Sequence, residues 1–302
     1  MLREIKNHLI FCFVSIKKII IGVIFLTVVY LLFWETKNRL QKDGFPLKVY
    51  FLNVGQGDAI LVDYLGVYQV LIDGGPSGEK LLTQLGERMP LGDKKIEVAV
   101  LTHPDKDHLA GFLDLLDNYQ VDLFLTNGQK TDSQIFLALE RKLQDKNIKT
   151  EAVYEGSTFQ IGQKLDFFVF NPDQDNMENK EEKNDQSVIL QMNFGQNEFL
   201  FLADAETETE ADLLQDGQLS DIDWLKVAHH GSKNASTDVL LEKTQPEFAV
   251  ISVGKNSYGH PSEDALGRLK KTGAQILRTD EQGTIGAFCS GLEVPCQSRA
   301  FP

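Results

Sequence analysis

Residues 101–108 of this chain read LTHPDKDH and complete an apolar run, Val98–Leu101. Four potential metal ligands fall within this segment: His103, Asp105, Asp107 and His108. Side chains this close in sequence can reach one point only from a loop, because a strand sends alternate residues to opposite faces. The segment therefore predicts a loop that begins where a buried strand ends and that holds a metal site.

The chemistry of these side chains indicates a hydrolase. Two imidazoles and two carboxylates suit zinc, manganese or iron, and two such ions about 3.5–4 Å apart can share a hydroxide that attacks an ester. We therefore expect two divalent ions, zinc or manganese, and a metal-activated water. The alternative is a plain turn and helix start, since Asp and Pro are turn residues and residues 109–116 have a helical pattern.

Two later segments place similar side chains after apolar runs. Asp204 follows Phe199–Leu202, where it is either a bridging carboxylate or a helix N-cap. His229 and His230 follow residues 225–228, and adjacent side chains on an extended segment diverge. At most one of the two histidines is therefore expected to face the metals.

The remaining candidates are Ser232, which with nearby backbone N–H groups could receive a substrate oxygen, and His260, which follows a predicted strand at 248–253. A histidine between Gly and Pro is usually a surface turn. Five of the six histidines nevertheless follow predicted strand ends, and this shared placement favours a common site.

The element pattern predicts an α/β fold. Three short strands separated by turn residues form a meander in residues 48–72, after which predicted strands and helices alternate to residue 288. Residues 171–186 are polar and largely acidic, which is typical either of a disordered insertion or of a mobile lid.

The N-terminal region contains an uncharged apolar run of 16 residues, Ile19–Trp34. It is slightly short for a membrane span, but flanking lysines can extend toward the interface, and a cleaved signal peptide is disfavoured by the absence of a small-residue cleavage site. The predicted organisation is a basic cytoplasmic segment at 1–18, a single-pass transmembrane anchor at 19–34, a stalk at 35–46, a hydrolase domain at 47–290 and a C-terminal tail at 291–302.

The charge distribution bears on partners and orientation. The formal net charge is −14, but residues 45–302 hold 23 basic and 41 acidic residues, a net charge of −18. Such a field counts against sequence-independent binding of long nucleic acids, although bound divalent ions reverse the sign locally. The basic flank, the acidic domain and a possible Cys289–Cys296 disulfide favour a domain outside the cytoplasm.

As a set, the motifs resemble those of the metallo-β-lactamase-fold hydrolases, and within them the hydrolase domain of ComEC-type competence proteins that take up DNA. The matching segments are 51–59 (FLNVGQGDA), 73–75 (DGG), 103–108, 184–187 (NDQS), 203–206 (ADAE), 229–232 (HHGS) and 259–261 (GHP). The resemblance implies a four-layer αββα sandwich with the metals at one edge, between the sheets.

The resemblance also implies roles for individual residues. His103 and Asp105 would serve the first metal, Asp107 and His108 the second, and Asp204 would bridge them. His260 would be a further ligand, and His229 or His230 would donate a proton or contact a phosphate. Two departures from the family pattern matter: Asp105 stands where a histidine is usual, and the mid-chain ligand histidine is absent. They weaken the first site and leave a mononuclear enzyme possible.

The resulting hypothesis is a membrane-anchored, extracytoplasmic phosphodiesterase or nuclease with a link to DNA uptake, and with single-stranded DNA or a small phosphodiester as substrate. Asp107 or Asp204 would orient the attacking water. One alternative is a catalytically idle interaction subunit of a separate transmembrane channel protein. Another is a lactam or ester hydrolase.

Overall fold

The computed structural model describes residues 21–31, 44–174, 184–215, 217 and 219–302. The chain divides into two compact units, residues 1–44 and residues 45–302. Within the first unit, residues 21–31 form a helix, α1, with exposed side chains. The predicted anchor at 19–34 extends beyond the described residues at both ends, and the segment at 1–18 and most of the stalk lie outside them. Among the described residues, no helix combines the length and apolar character needed to cross a bilayer.

The second unit contains two β-sheets. The first sheet has eight strands: β1 (Leu47–Phe51), β2 (Ile60–Tyr64), β3 (Tyr68–Ile72), β4 (Lys95–Leu101), β5 (Gln120–Thr126), β6 (Lys149–Ala152), β14 (Thr284–Cys289) and β15 (Gln297–Phe301). The second sheet has seven strands: β7 (Thr158–Ile161), β8 (Leu165–Asn171), β9 (Ile189–Phe194), β10 (Asn197–Phe201), β11 (Trp224–Lys226), β12 (Phe248–Ile251) and β13 (Gln275–Arg278).

Seven helices join these strands: α2 (Gly78–Arg88), α3 (Lys106–Asn118), α4 (Gln134–Asp145), α5 (Thr207–Gln215), α6 (Asp238–Thr244), α7 (Glu263–Thr272) and α8 (Thr279–Gln282). Four of them begin at a Ser or Thr whose hydroxyl accepts a hydrogen bond from a backbone N–H of the first turn: Ser77, Ser133, Thr237 and Ser262. Such caps satisfy donors that the helix itself leaves free.

The strand order places the ends of parallel strands side by side. The first sheet runs β15-β14-β1-β2-β3-β4-β5-β6 and is parallel from β3 to β6. The second runs β13-β12-β11-β10-β9-β8-β7 and is parallel from β10 to β13. In each sheet, the carboxyl ends of the parallel strands therefore meet at one edge, where binding sites of α/β folds usually lie.

Three apolar clusters define four layers. The central cluster joins the facing surfaces of the two sheets, with Phe51 and Val100 from the first sheet and Phe167 and Phe199 from the second. The outer face of the first sheet packs against α2, α3 and α4. The outer face of the second packs against α5, α6 and α7. Because both faces of each sheet are covered, central strands such as β2 are buried throughout. The predicted αββα architecture is thus present.

The helix α3 approaches the first sheet closely. The N–H of Gly111 donates to the Gly75 carbonyl at 3.0 Å, and the N–H of Gly74 donates to the His108 carbonyl at 2.6 Å. A Cβ atom on Gly111 would lie 1.9 Å from the Gly74 carbonyl oxygen. The loop after β3 and the start of α3 are therefore held together backbone to backbone.

The C-terminal region adds a feature that the sequence left open. Cys289 and Cys296 form a disulfide. Residues 297–301, which lie in the segment expected to be a tail, form β15 and pair antiparallel with β14. The disulfide closes a loop of residues 289–296. Within this loop, the Val294 carbonyl accepts a hydrogen bond from the side chain of Asn197, which lies in the second sheet, so the loop contacts both sheets.

Candidate metal centre

The candidate ligands come from the ends of strands that lie at one edge of the sandwich. In the first sheet, the loop after β4 carries His103, and α3, which begins directly after this loop, carries Asp107 and His108. In the second sheet, Asp204 follows β10 and His230 follows β11. The parallel order of both sheets brings these five side chains to the same place.

Asp204 lies at the centre of the group. Its carboxylate oxygens are 3.4 Å from His108 Nε2, 3.5 Å from His230 Nε2 and 4.0 Å from His103 Nε2. Asp107 Oδ2 lies 3.5 Å from the same His230 nitrogen. Among the described residues, four sets of three ligand atoms lie within 4.8 Å of one another. Two of them are formed by residues predicted from the sequence: His103 with His108 and Asp204, and Asp107 with His108 and His230. The other two include Asp58: Asp58 with Asp73 and His108, and Asp58 with Asp204 and His230.

The imidazole nitrogens that face Asp204 have no hydrogen-bond partner. The Nε2 atoms of His103, His108 and His230 are all buried and unpaired, as is one oxygen of Asp204. Buried polar atoms are normally satisfied, so four orphaned atoms facing one another need an explanation. A divalent ion among them would supply it, because imidazole nitrogen and carboxylate oxygen are ligands of zinc and manganese. The residues present therefore fit a metal ion.

A second set of contacts orients the imidazoles. Asp73, at the end of β3, accepts from the Thr102 N–H and hydroxyl and lies 2.7 Å from His108 Nδ1. His230 Nδ1 lies 2.8 Å from the Ser252 carbonyl oxygen. These contacts occupy Nδ1 of each ring and leave Nε2 to face the ligand group, which is the arrangement that supporting residues impose at metal sites.

The pKa values of the histidines are shifted by burial and by the charged side chains close to them. Burial lowers the pKa of His230, but Asp204 and Asp58 outweigh it and raise that pKa to about 10. His108 has its pKa raised well above the usual value, because Asp204 and Asp73 overcome the effect of burial. Burial and the neighbouring His108 lower the pKa of His103 to about 4.

The pKa values of the two carboxylates, Asp204 and Asp107, are lowered by the neighbouring histidines. Burial alone would raise the pKa of Asp204, but His230 and His108 hold it well below its usual value. The same competition lowers the pKa of Asp107, because the nearby His230 and His108 outweigh the effect of burial. Both carboxylates are therefore ionised at neutral pH, as metal ligands must be.

His229 occupies a different position from its neighbour. Its Nδ1 lies 2.8 Å from Glu206 Oε1, and its Nε2 is 3.7 Å from Asp204 Oδ2. The side chains of His229 and Glu206 are 22% and 32% exposed, whereas that of His230 is 2% exposed. His229 thus lies at the open side of the site, where a side chain can exchange protons with substrate and solvent.

The backbone accounts for the divergence of the two histidines. His229 and His230 have φ values of 43° and 53°, in the left-handed region that side-chain-bearing residues rarely adopt. The turn sends His230 inward to the ligand group and His229 toward solvent. Such strain commonly marks functional sites.

The other residues singled out from the sequence lie at the margin of the group. Within the described chain, none of the sets of three ligand atoms includes Asp105 or His260. Asp105 is the N-cap residue of α3. The His260 ring packs 5.4 Å from the His229 ring, and Ser232 is buried with its hydroxyl accepting from the Asn234 N–H.

Sequence reasoning assigned no role to four residues that support the site: Asp58, Asp73, Glu206 and Lys226. Asp58 and Asp73 lie within motifs that matched the family, 51–59 and 73–75, and each follows a turn or strand end, so their position carried a signal. Lys226 is the last residue of β11 and completely buried. A lysine in a short strand ordinarily indicates a solvent-facing position, so this burial had no sequence signal.

Residues 52–255 match the metallo-beta-lactamase superfamily. ComE operon protein 3 of Bacillus subtilis (strain 168) is 31% identical over 87% of this chain and 35% of its own length. Recombination protein 2 of Haemophilus influenzae is 27% identical over 87% of this chain and 31% of its own length. The chain spans about a third of the length of these curated relatives.

Among solved structures, the metallo-beta-lactamase fold protein YhfI from Bacillus subtilis superposes with a TM-score of 0.53. It is 11% identical, and the alignment covers 79% of this chain and 98% of YhfI, which supports the shared fold. The resemblance inferred from the motifs is confirmed: the chain belongs to the metallo-beta-lactamase superfamily and is related to the competence proteins of the ComEC type.

Proposed function

We propose that this chain is a metal-dependent hydrolase of phosphodiester bonds. The observation that carries the proposal is the convergence of three buried, unpaired imidazole nitrogens on the Asp204 carboxylate. The superfamily supports metal-dependent hydrolysis in general, and the relation to competence proteins favours a substrate from nucleic acid chemistry.

Two of the ligand sets share His108. His103 and Asp204 complete one set, and Asp107 and His230 complete the other, with Asp204 also 3.5 Å from His230 Nε2. Two zinc or manganese ions held there would supply Lewis acidity and a water of lowered pKa. His230 takes the place in this proposal that the resemblance gave to His260. Asp107, which is partly exposed, would accept the proton of the attacking water.

His229 is suited to protonate the leaving group. Its Nε2 is near the ligand group, it reaches solvent, and Glu206 holds its Nδ1. A carboxylate behind an imidazole fixes the ring orientation, as in other general acid–base pairs. The Glu206–His229 pair therefore supplies the acid that an alkoxide leaving group needs.

The setting of this activity follows from the sequence. We propose that residues 19–34 anchor the chain in the cell membrane with the hydrolase domain outside the cytoplasm, acting in DNA uptake beside a separate transmembrane channel protein. The Cys289–Cys296 disulfide supports this side of the membrane, because such bonds persist in oxidising compartments. Single-stranded DNA or a small phosphodiester is the proposed substrate.

The test is turnover of bis-p-nitrophenyl phosphate by the full chain in detergent, with zinc or manganese added, beside metal content by elemental analysis. Asp107→Ala should abolish turnover, while Asp221→Ala, at an exposed aspartate, should leave it unchanged. Turnover of a chromogenic cephalosporin in place of the phosphodiester would instead identify a lactam hydrolase. Absence of bound metal and of any turnover would favour an idle interaction subunit.

A further inference from the structure

The segment 254–261, here called the Asn256 loop, is held by one side chain. The Asn256 Oδ1 accepts hydrogen bonds from three backbone N–H groups, those of Tyr258, Gly259 and His260, at 3.0–3.1 Å. Its Nδ2 donates to the carbonyls of Gly254 and His260 at 2.9 and 2.8 Å. The Asn256 amide thus takes part in five hydrogen bonds, which define the conformation of a loop that contains no helix or strand.

Both ends of the Asn256 loop are fixed to segments next to His230: one carries Asp58, which contacts the His230 ring, and the other directly follows His230. The Gly254 N–H donates to the Gln56 side chain at 3.3 Å, and a Cβ atom on Gly254 would lie 2.5 Å from the Gln56 nitrogen. At the other end, the Ser262 N–H donates to the Gly231 carbonyl, directly after His230. The loop is therefore placed relative to the ligands by backbone contacts.

The loop presents an exposed aromatic side chain beside the site. Tyr258 is 74% exposed. Its ring lies 5.8 Å from the His260 ring with an angle of 34° between them, and the His260 ring lies 5.4 Å from the His229 ring. The rings of His229, His260 and Tyr258 therefore form a continuous row that leads from the ligand group to the protein surface.

We propose that Tyr258 and His260 form a platform on which a nucleobase of single-stranded nucleic acid stacks while the adjoining phosphodiester lies at the metal centre. The inference rests on the proposed function and names its substrate class. A tyrosine held by a rigid loop offers a large contact area at a low entropic cost, and stacking on aromatic side chains binds every base irrespective of sequence.

The charge of the protein favours this mode of binding. Proteins that hold single strands usually combine aromatic stacking with a basic groove, but this chain has a net charge of −14. Stacking on an uncharged ring does not depend on that field. Base stacking next to a metal centre can thus retain a strand that the rest of the surface repels.

The test compares two single-stranded substrates with the same phosphates, oligo(dT) and an oligonucleotide of equal length with abasic tetrahydrofuran sites. With the full chain, Tyr258→Ala should lower kcat/KM for oligo(dT) by about 5- to 100-fold, since base stacking is worth ~1–3 kcal/mol. The abasic substrate should be cleaved as well by the variant as by the wild type. Tyr258→Phe keeps the ring and should retain activity on both.

A control and a binding measurement complete the test. Tyr68 is the first residue of β3, at the opposite end of the strand from the metal centre, so Tyr68→Ala should leave both rates unchanged. Equal losses on both substrates, or none with Tyr258→Ala, would overturn the platform and leave the phosphodiesterase proposal standing. If the wild type cleaves no phosphodiester, the proposed function fails. Fluorescence anisotropy of labelled oligo(dT) then decides the platform separately: weaker binding by Tyr258→Ala than by Tyr258→Phe supports it, and equal binding refutes it.

Discussion

Lys226 Nζ lies 2.8 Å from Asp58 Oδ2, and both side chains are buried, with 0% and 2% of their surface exposed. The other Asp58 oxygen is 3.4 Å from His230 Nδ1. Burial would raise the pKa of Asp58, but Lys226, followed by His230, holds it below its usual value. A buried ion pair thus adjoins the imidazole that faces the metal centre.

Removing one member of this pair should destabilise the protein strongly. Lys226→Met keeps the side-chain volume but leaves the Asp58 carboxylate without a partner, and we expect the free energy of unfolding to fall by about 3–5 kcal/mol. Urea denaturation measures the change. Adding Asp58→Asn should restore part of the loss, because the unpaired charge is gone. Lys164→Met, at an exposed turn, should change stability by less than ~0.5 kcal/mol. A Lys226→Met protein as stable as the wild type would contradict the ion pair.

The role of His229 predicts a dependence on the leaving group. A p-nitrophenolate departs without a proton, whereas the alkoxide released from a dinucleotide needs one. His229→Ala should therefore slow dinucleotide cleavage by about 10²-fold or more, with a much smaller effect on bis-p-nitrophenyl phosphate. Glu206→Gln should act in the same direction, less strongly. Steady-state rates on both substrates check this, and equal losses on the two would show that His229 does not act as the acid.

The stability of the metal-free protein should depend on pH through His230. Its pKa is about 10 in the folded chain and near the usual 6.5 in the unfolded chain, so the folded state binds more protons between these values. This contribution is complete below pH ~6.5 and is lost as the pH rises toward 10, on the order of a few kcal/mol.

Urea denaturation in a chelating buffer at pH 7, 8.5 and 10 measures that loss, and His230→Gln should show a shallower decline. With zinc in excess the decline should shrink, because metal binding needs the imidazole deprotonated and grows stronger with pH. If the free energy of unfolding of the metal-free protein is the same from pH 7 to pH 10, His230 is not protonated in the folded protein.

The disulfide should stabilise the domain modestly. Cys289 and Cys296 are seven residues apart, and the loop-entropy relation gives about 2–3 kcal/mol for so short a loop. The double variant Cys289→Ser with Cys296→Ser should lose that amount in urea denaturation. Reductant should lower the stability of the wild type by a similar amount and leave the double variant unaffected; equal behaviour of the two proteins would argue against the bond.

Much of the fold was predictable because its strands are buried and its helices amphipathic. The meander expected at 48–72 is β1 to β3, and the alternating strands and helices expected after it begin with α2 and β4. The strands that the sequence did not indicate, β6, β7 and β15, are short and largely exposed, with few apolar residues to mark a buried face. Their pairing is decided by the neighbouring strand and not by their own pattern.

The sequence indicated which residues form the candidate site better than it indicated how their side chains are arranged. The structure brings His103, His108 and Asp204 within ligand distance of one another, at the edge where β4 and β10 end. The orientation of His229 and His230 could not be inferred, because both residues adopt a left-handed backbone instead of the extended one assumed from the sequence. The burial of Lys226 likewise depends on Asp58, a residue 168 positions away in the chain.

The contact between Gly74 and Gly111 has a consequence for the choice of ion. It fixes the start of α3, and with it Asp107 and His108, against the loop that carries Asp73. Because this contact is made by backbone atoms, no change of rotamer can widen or narrow it. The backbone at Asp107 and His108 is therefore held in place by the chain itself, so the His108 imidazole stays among the ligands and disfavours calcium, which prefers oxygen ligands.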